Sequence, residues 1–153
     1  MRISNLNAVP PFKEVVADRI WKAWWRHHGH LLQVVTDFFD ALPLERGIPF
    51  ALVAHEGETY FGSVLAVASD LDDRPELSPW VAALWVEPDH RNKGIGAALA
   101  KAARTEILNL GYDAAFLCAT AEKRIMYQNQ GWTLLEKSVG EHALDVFELS
   151  ANA

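Results

Sequence analysis

The chain has 153 residues, half of them hydrophobic and 22% charged, which excludes disordered, fibrous and collagen-like classes and suffices for one domain with its own core. No apolar run is long enough to span a bilayer, the start Met1-Arg2-Ile3-Ser4-Asn5 lacks a signal-peptide stretch, and a cytoplasmic protein is expected. The net charge of −6 argues against phosphate-backbone binding and favours a cationic partner, while the single Cys118 allows neither an internal disulfide nor a paired-cysteine zinc site.

A short first strand is expected near Arg2–Leu6. Phe12, Val16, Ile20 and Trp24 then recur every four residues, and Leu31, Val35, Phe38 and Leu42 follow at helical spacing. Gly29 separates these two amphipathic helices and Pro43 ends the second. On this spacing Trp24 belongs to the core, whereas Trp21 and Trp25 are left for a pocket wall or a homodimer surface. Phe50–His55 and Tyr60–Ala68 read as a hairpin closed by Glu56-Gly57-Glu58-Thr59. Asp70–Pro79 is a loop inside the domain, and Trp80–Val86 is a buried strand stopped by Pro88. Gly94–Leu110 is helical with Gly111 as its cap. Ala114–Ala119 is a strand, Glu122–Asn129 a short helix, and Trp132–Leu135 and Leu144–Leu149 are two more strands. The pattern is a mixed α/β domain of the α+β type, with antiparallel hairpins at both ends and no linker or repeat within 1–153.

The chemistry concentrates in Trp85-Val86-Glu87-Pro88-Asp89-His90-Arg91-Asn92-Lys93-Gly94-Ile95-Gly96-Ala97. A strand, a turn bearing arginine and lysine, two glycines and a helix start together make an anion site. The first helical N–H groups lack internal partners and the helix dipole is positive there. Gly94 and Gly96 let a phosphate approach the backbone, and Arg91 and Lys93 add cationic donors. A dinucleotide fingerprint needs a third glycine where Leu99 stands, and a P-loop needs Gly-Lys-Ser/Thr, which this chain lacks.

The remaining motif, Arg-x-x-Gly-x-Gly after a strand ending Val-x-Pro, resembles the pyrophosphate loop of the GNAT acetyltransferase superfamily. A second segment, Tyr127-Gln128-Asn129-Gln130-Gly131-Trp132, resembles its Tyr-x-x-x-Gly-Phe stretch with tryptophan for phenylalanine. Leu71–Trp80 looks like a segment shared by small bacterial members of unassigned substrate. The resemblance implies a mostly antiparallel sheet split at its middle strands, with helices on both faces, and acetyl-CoA as co-substrate without a metal. It implies that Arg91, Asn92, Lys93, Gly94, Ile95, Gly96 and Ala97 hold the pyrophosphate. Leu84, Trp85 and Val86 would pair with the pantetheine arm, a backbone N–H near Val86 polarising the thioester carbonyl. Tyr127 would be the general acid for the leaving thiolate.

The pattern departs from the superfamily in two places. Thr120 stands where an asparagine often touches the pantetheine arm. The strand Trp80-Val81-Ala82-Ala83-Leu84-Trp85-Val86 carries no titratable group, so any base for the acceptor amine comes from elsewhere: Asp70, Asp72, Glu76 and His55, read as solvated loop or turn residues, are the candidates. His27, His28 and His30 have no acidic or cysteine ligand at fixed spacing and read as helix-end residues, not a metal site. Cys118 reads as a small buried hydrophobe, not a nucleophile. The expected function is acetyl transfer from acetyl-CoA to a small or peptide amine by direct attack. The rivals are a non-catalytic acyl-CoA sensor and an α/β interaction domain whose tryptophans face a partner.

Overall fold

The runs read as strands in the sequence become strands in the computed structural model, which describes residues 1–151. The seven strands are β1 (Arg2–Asn5), β2 (Phe50–Glu56), β3 (Thr59–Val67), β4 (Trp80–Val86), β5 (Ala114–Ala119), β6 (Thr133–Val139) and β7 (Leu144–Ser150). They form one sheet in the order β1-β2-β3-β4-β5-β7-β6. β1 runs antiparallel to β2, and β7 antiparallel to both β5 and β6. β4 meets β5 in parallel, with Trp80 opposite Phe116. The helices are α1 (Lys13–Ile20), α2 (Leu32–Asp40), α3 (Ile95–Asn109) and α4 (Arg124–Asn129). This is the mixed α/β class expected from the alternation of periods.

The chain divides into two compact units, Met1–Leu65 with Ala83–Ala102, and Ala66–Ala82 with Ala103–Ala153. In the first, α1 buries Val16 and Ile20, α2 buries Val35 and Phe39, and the strands bury Val53 and Val64. In the second, the pleat sorts β5 and β7 into two faces. Phe116, Cys118 and Val146 share one, packed with Trp80, Val139, Leu71 and Leu77. Leu117 and Phe147 share the other, where the Tyr127 ring packs at 5.6 Å from Phe147.

Three readings of the sequence need correction. The first helix does not carry its four-residue period to Trp24: α1 ends at Ile20, and Trp21–Trp25 forms a wider π-helical turn followed by a 3-10 turn at Arg26–His28. The extra residue per turn rotates Trp24 off the core stripe, leaving it 42% exposed and edge-on to Trp85. In α2 the buried positions are Val35 and Phe39, continued by Leu42, while Leu31 and Phe38 are exposed. Adjacent phenylalanines offer two helical registers, and packing against α1 selects the second. Finally, β6 runs on to Val139 because register shifts after Leu134 and Glu136 break the alternation that marks a strand.

Candidate functional site

The glycine turn is built by the end of β4. The Glu87 N–H donates to the Phe61 carbonyl at 2.8 Å, Pro88–His90 make one 3-10 turn, and the chain then passes through left-handed Asn92 (φ 63°) and Gly94 (φ 82°) into α3. The Ala98 N–H donates to the Gly94 carbonyl at 3.0 Å. Ahead of it, the N–H groups of Ile95, Gly96 and Ala97 have no helical carbonyl four residues back, and they sit at the positive end of the helix dipole. The two glycines serve different ends. Gly94 supplies a backbone conformation that side chains rarely adopt. At Gly96 a Cβ would lie 3.6 Å from Val86 Cγ2 and 3.8 Å from Leu84 Cδ2, which are ordinary contacts, so the fold does not require glycine there. Bareness at Gly96 matters only to something that approaches the helix start.

Around this turn Asn92 and Lys93 are exposed, whereas Arg91 folds back on β4. Its guanidinium lies over the Trp85 ring at 4.7 Å from the centroid, and its Nε donates to the Val86 carbonyl at 2.8 Å. Two features of the strand were not singled out in the sequence. Ala83 adopts φ 51° in mid-strand, and a Cβ on Gly62 of β3 would come within 2.5 Å of the Trp85 carbonyl oxygen. A lone glycine within a β-branched run was the available signal for the second. Beside the same strand end, Tyr60, Glu87, Pro88, Asp89 and His90 line a cavity of about 260 Å³. Its Glu87 carboxylate accepts from Arg19 Nε (2.8 and 3.1 Å) and Trp85 Nε1 (3.2 Å).

The second unit holds a different set of groups. Tyr127, on α4, is 6% exposed, and burial, with a smaller contribution from neighbouring Cys118, raises its pKa above the ordinary phenol value, keeping it protonated at neutral pH. The Cys118 thiol donates to Asp70 Oδ2 at 3.5 Å. Burial pushes this thiol up to about 12, which suits a neutral hydrogen-bond donor better than a nucleophile. Asp70 is an exposed residue whose carboxyl is pushed up to about 6 by desolvation around it, opposed by the hydrogen bond from Cys118. Thr120 is exposed ahead of the turn Ala121–Lys123, with Oγ1 at 3.4 Å from Glu122 Oε1.

The remaining base candidates fare differently. His55 is not a solvated turn residue: it is 6% exposed, and both ring nitrogens are engaged. Nδ1 donates to the Gly57 carbonyl at 3.0 Å, and Nε2 is hydrogen-bonded to the Ser4 hydroxyl at 2.8 Å. Asp72 and Glu76 are exposed, the latter close enough to Arg74 to favour its charged form. Trp21 donates from Nε1 to the His30 carbonyl at 2.7 Å, and Trp25, 40% exposed, lies edge-on to the His30 ring. Among the described residues no group of three His, Cys, Asp or Glu is placed to hold a metal ion, and no helix is long and apolar enough to cross a membrane.

A family model of the acetyltransferase (GNAT) domain matches residues 49–134. No curated protein sequence matches the chain. Among solved structures, an aminoglycoside 6'-N-acetyltransferase complexed with coenzyme A is similar at TM-score 0.73 and 14% identity, over 98% of this chain and 97% of its own. The spermidine/spermine N-acetyltransferase SpeG of Vibrio cholerae, in mutant forms, reaches TM-score 0.71 at 11% identity, over 99% and 95%. The yncA protein of Salmonella typhimurium, with its cofactor acetyl-CoA, reaches TM-score 0.71 at 17% identity, over 98% and 93%. At these identities the likeness is one of fold.

Proposed function

The chain belongs to the GNAT acetyltransferase family, and from that membership we propose that residues 1–153 form one cytoplasmic N-acetyltransferase domain that moves the acetyl group of acetyl-CoA to a primary amine. The observation that carries the reading is the start of α3, where three leading N–H groups, a left-handed Gly94 and a Gly96 that the fold does not need leave room for an anion. These residues fit a pyrophosphate. Asn92, Lys93, Gly94, Ile95, Gly96 and Ala97 hold it, and Arg91 joins them by leaving the Trp85 ring. Leu84, Trp85 and Val86 offer backbone groups to the pantetheine arm, and Thr120 offers a hydroxyl.

In the reaction a neutral amine attacks the thioester carbonyl, a C–N bond forms and the C–S bond breaks. The Tyr127 phenol, buried and protonated, gives its proton to the departing thiolate and is reprotonated from solvent. Holding two reactants together supplies much of the rate. The charge of −6 favours a cationic acceptor, and the similar structures include proteins named for aminoglycoside and for spermidine/spermine acetylation. Tyr127→Phe tests the assignment: it should lower kcat for thiol release by about a hundredfold with acetyl-CoA affinity retained, and an unchanged kcat removes Tyr127 from the mechanism. A second reading, an acyl-CoA sensor without turnover, draws on the absence of a titratable side chain along Trp80–Val86. It predicts acetyl-CoA binding and no thiol release with any amine.

A further inference from the structure

Helix α2 carries two apolar faces, and its own chain covers one of them. Val35, Phe39 and Leu42 are buried where the helix packs on α1. Leu31, Val34, Phe38 and Ala41, spaced three, four and three residues apart, line a second face that stays open, Leu31 being 72% and Val34 49% exposed. That spacing is the seam of a helix packed on another helix, and a contiguous apolar strip differs from the single apolar residues scattered over any surface. Leu31 stands at the N-cap in extended backbone (φ −78°, ψ 150°) and gives the helix no side-chain cap, a position where serine or aspartate would serve the fold better.

The charges around α2 point to what covers this face. The first turn of the helix holds no acid and the last turn no base. Instead Asp37 and Asp40 sit at the negative end of the helix dipole, and Arg26, His27, His28 and His30 lie exposed just ahead of its positive end. Within the chain Lys13 Nζ meets Asp40 at 3.1 Å, whereas Asp37 accepts from the neutral amide of Gln33 at 2.7 Å, and the Arg26 guanidinium lies over the Trp21 ring at 5.5 Å. These charges are set badly for their own helix and well for an antiparallel copy of it. We propose that α2 is the interface of a homodimer, in which the seam of Leu31, Val34, Phe38 and Ala41 packs antiparallel on the same seam of a second copy. Centred on itself, the seam sets Leu31 opposite Ala41 of the second copy and Val34 opposite Phe38, so a larger side chain meets a smaller one at each level. Asp40 of each copy then reaches the N-terminal turn of the other helix, and the Arg26–His28 turn reaches its C-terminal carbonyls. Because both copies use the same face, the pairing closes at two. The net charge of −6 opposes association of copies in general, so the local complementarity of this face decides where they meet. The inference is independent of the acetyltransferase reading.

Sedimentation velocity of the full chain between about 1 and about 100 μM should show wild type passing from one chain to two as concentration rises. Val34→Glu, at an exposed position, should raise the dimer dissociation constant by about a hundredfold or more while far-UV circular dichroism matches wild type. Leu31→Asp supplies the missing cap and so favours the helix, yet it should weaken the dimer by about tenfold or more because the seam loses its largest exposed aliphatic group. Crosslinking with a short bismaleimide in a Cys118→Ala background reads the orientation. A mixture of Leu31→Cys and Ala41→Cys chains should link, whereas either variant alone should not, because the antiparallel pair sets like positions about ten residues, or roughly 15 Å, apart along the helices. A wild type that stays a single chain over the whole range, its α2 face bare or taken by some other molecule, overturns the proposal. A dimer that survives both Val34→Glu and Leu31→Asp overturns it as well, and so does a linker that joins each cysteine variant to itself and not the mixture.

Discussion

Gly94 and Gly96 look alike in the sequence, yet only Gly94 is held by its own conformation, φ 82°, while Gly96 meets nothing closer than 3.6 Å where a Cβ would stand. This contrast separates folding from binding. Gly96→Ala should leave Tm unchanged within about 1 °C and weaken acetyl-CoA by about tenfold or more, because the methyl group occupies the approach to three unpaired N–H groups. Unchanged affinity in calorimetry would move the phosphate elsewhere. Arg91 adds a spectroscopic signature, since its guanidinium lies 4.7 Å from the Trp85 ring centroid. If it leaves that ring for a phosphate, tryptophan emission should change on titration with coenzyme A, and Arg91→Ala should abolish most of that change. The loop residues were legible because glycines, cations and a helix start follow one another in the sequence. The Asp70–Cys118 pair was not, because 48 residues separate its members.

At the scale of elements, the close approach of β3 to β4 is enforced at one point. A Cβ on Gly62 would lie 2.5 Å from the Trp85 carbonyl oxygen and 3.2 Å from Val86 Cα, both backbone atoms that cannot swing aside. Gly62→Ala should therefore cost about 1–3 kcal/mol in urea unfolding and weaken acetyl-CoA at the same time, because the strand that moves carries Leu84, Trp85 and Val86. Wild-type stability in that variant would contradict the packing described. The strand positions were readable from composition because β-branched runs bounded by Gly and Pro have few alternatives. Helix faces were less so. Trp24 obeys the four-residue period of Phe12, Val16 and Ile20, but a π turn at Trp21–Trp25 changes the angle per residue, and periodicity cannot reveal where the period changes. Likewise β6 hides its last residues behind register shifts, with Ser138 at φ 54°.

For the molecule as a whole, pH acts through a buried carboxylate. Asp145, fully buried, accepts from Arg124 Nε at 2.7 Å and from the Ser138 N–H at 3.3 Å, and the hydrogen bond from Arg124 leads the causes that hold its pKa below the usual carboxylate range. A group depressed in the folded state stabilises the fold above its unfolded pKa, near 4, and that contribution is lost as pH falls further. Asp145→Asn should thus lower Tm at pH 7 by about 5 °C or more and flatten the decline of Tm below about pH 4. An unaltered acid profile would remove the pair from the stability of the protein. The mixed α/β class and the acetyltransferase family belong to this scale, and both were legible in the sequence because two motifs follow in order along one succession of strands and helices. The claim on which everything else depends is that the α3 entrance binds a coenzyme A pyrophosphate. Calorimetric titration with acetyl-CoA, free coenzyme A and NAD tests it most directly. The account predicts saturable binding of both coenzyme A compounds, lost in Gly96→Glu, with none for NAD; equal binding of NAD, or no binding of acetyl-CoA, would contradict it.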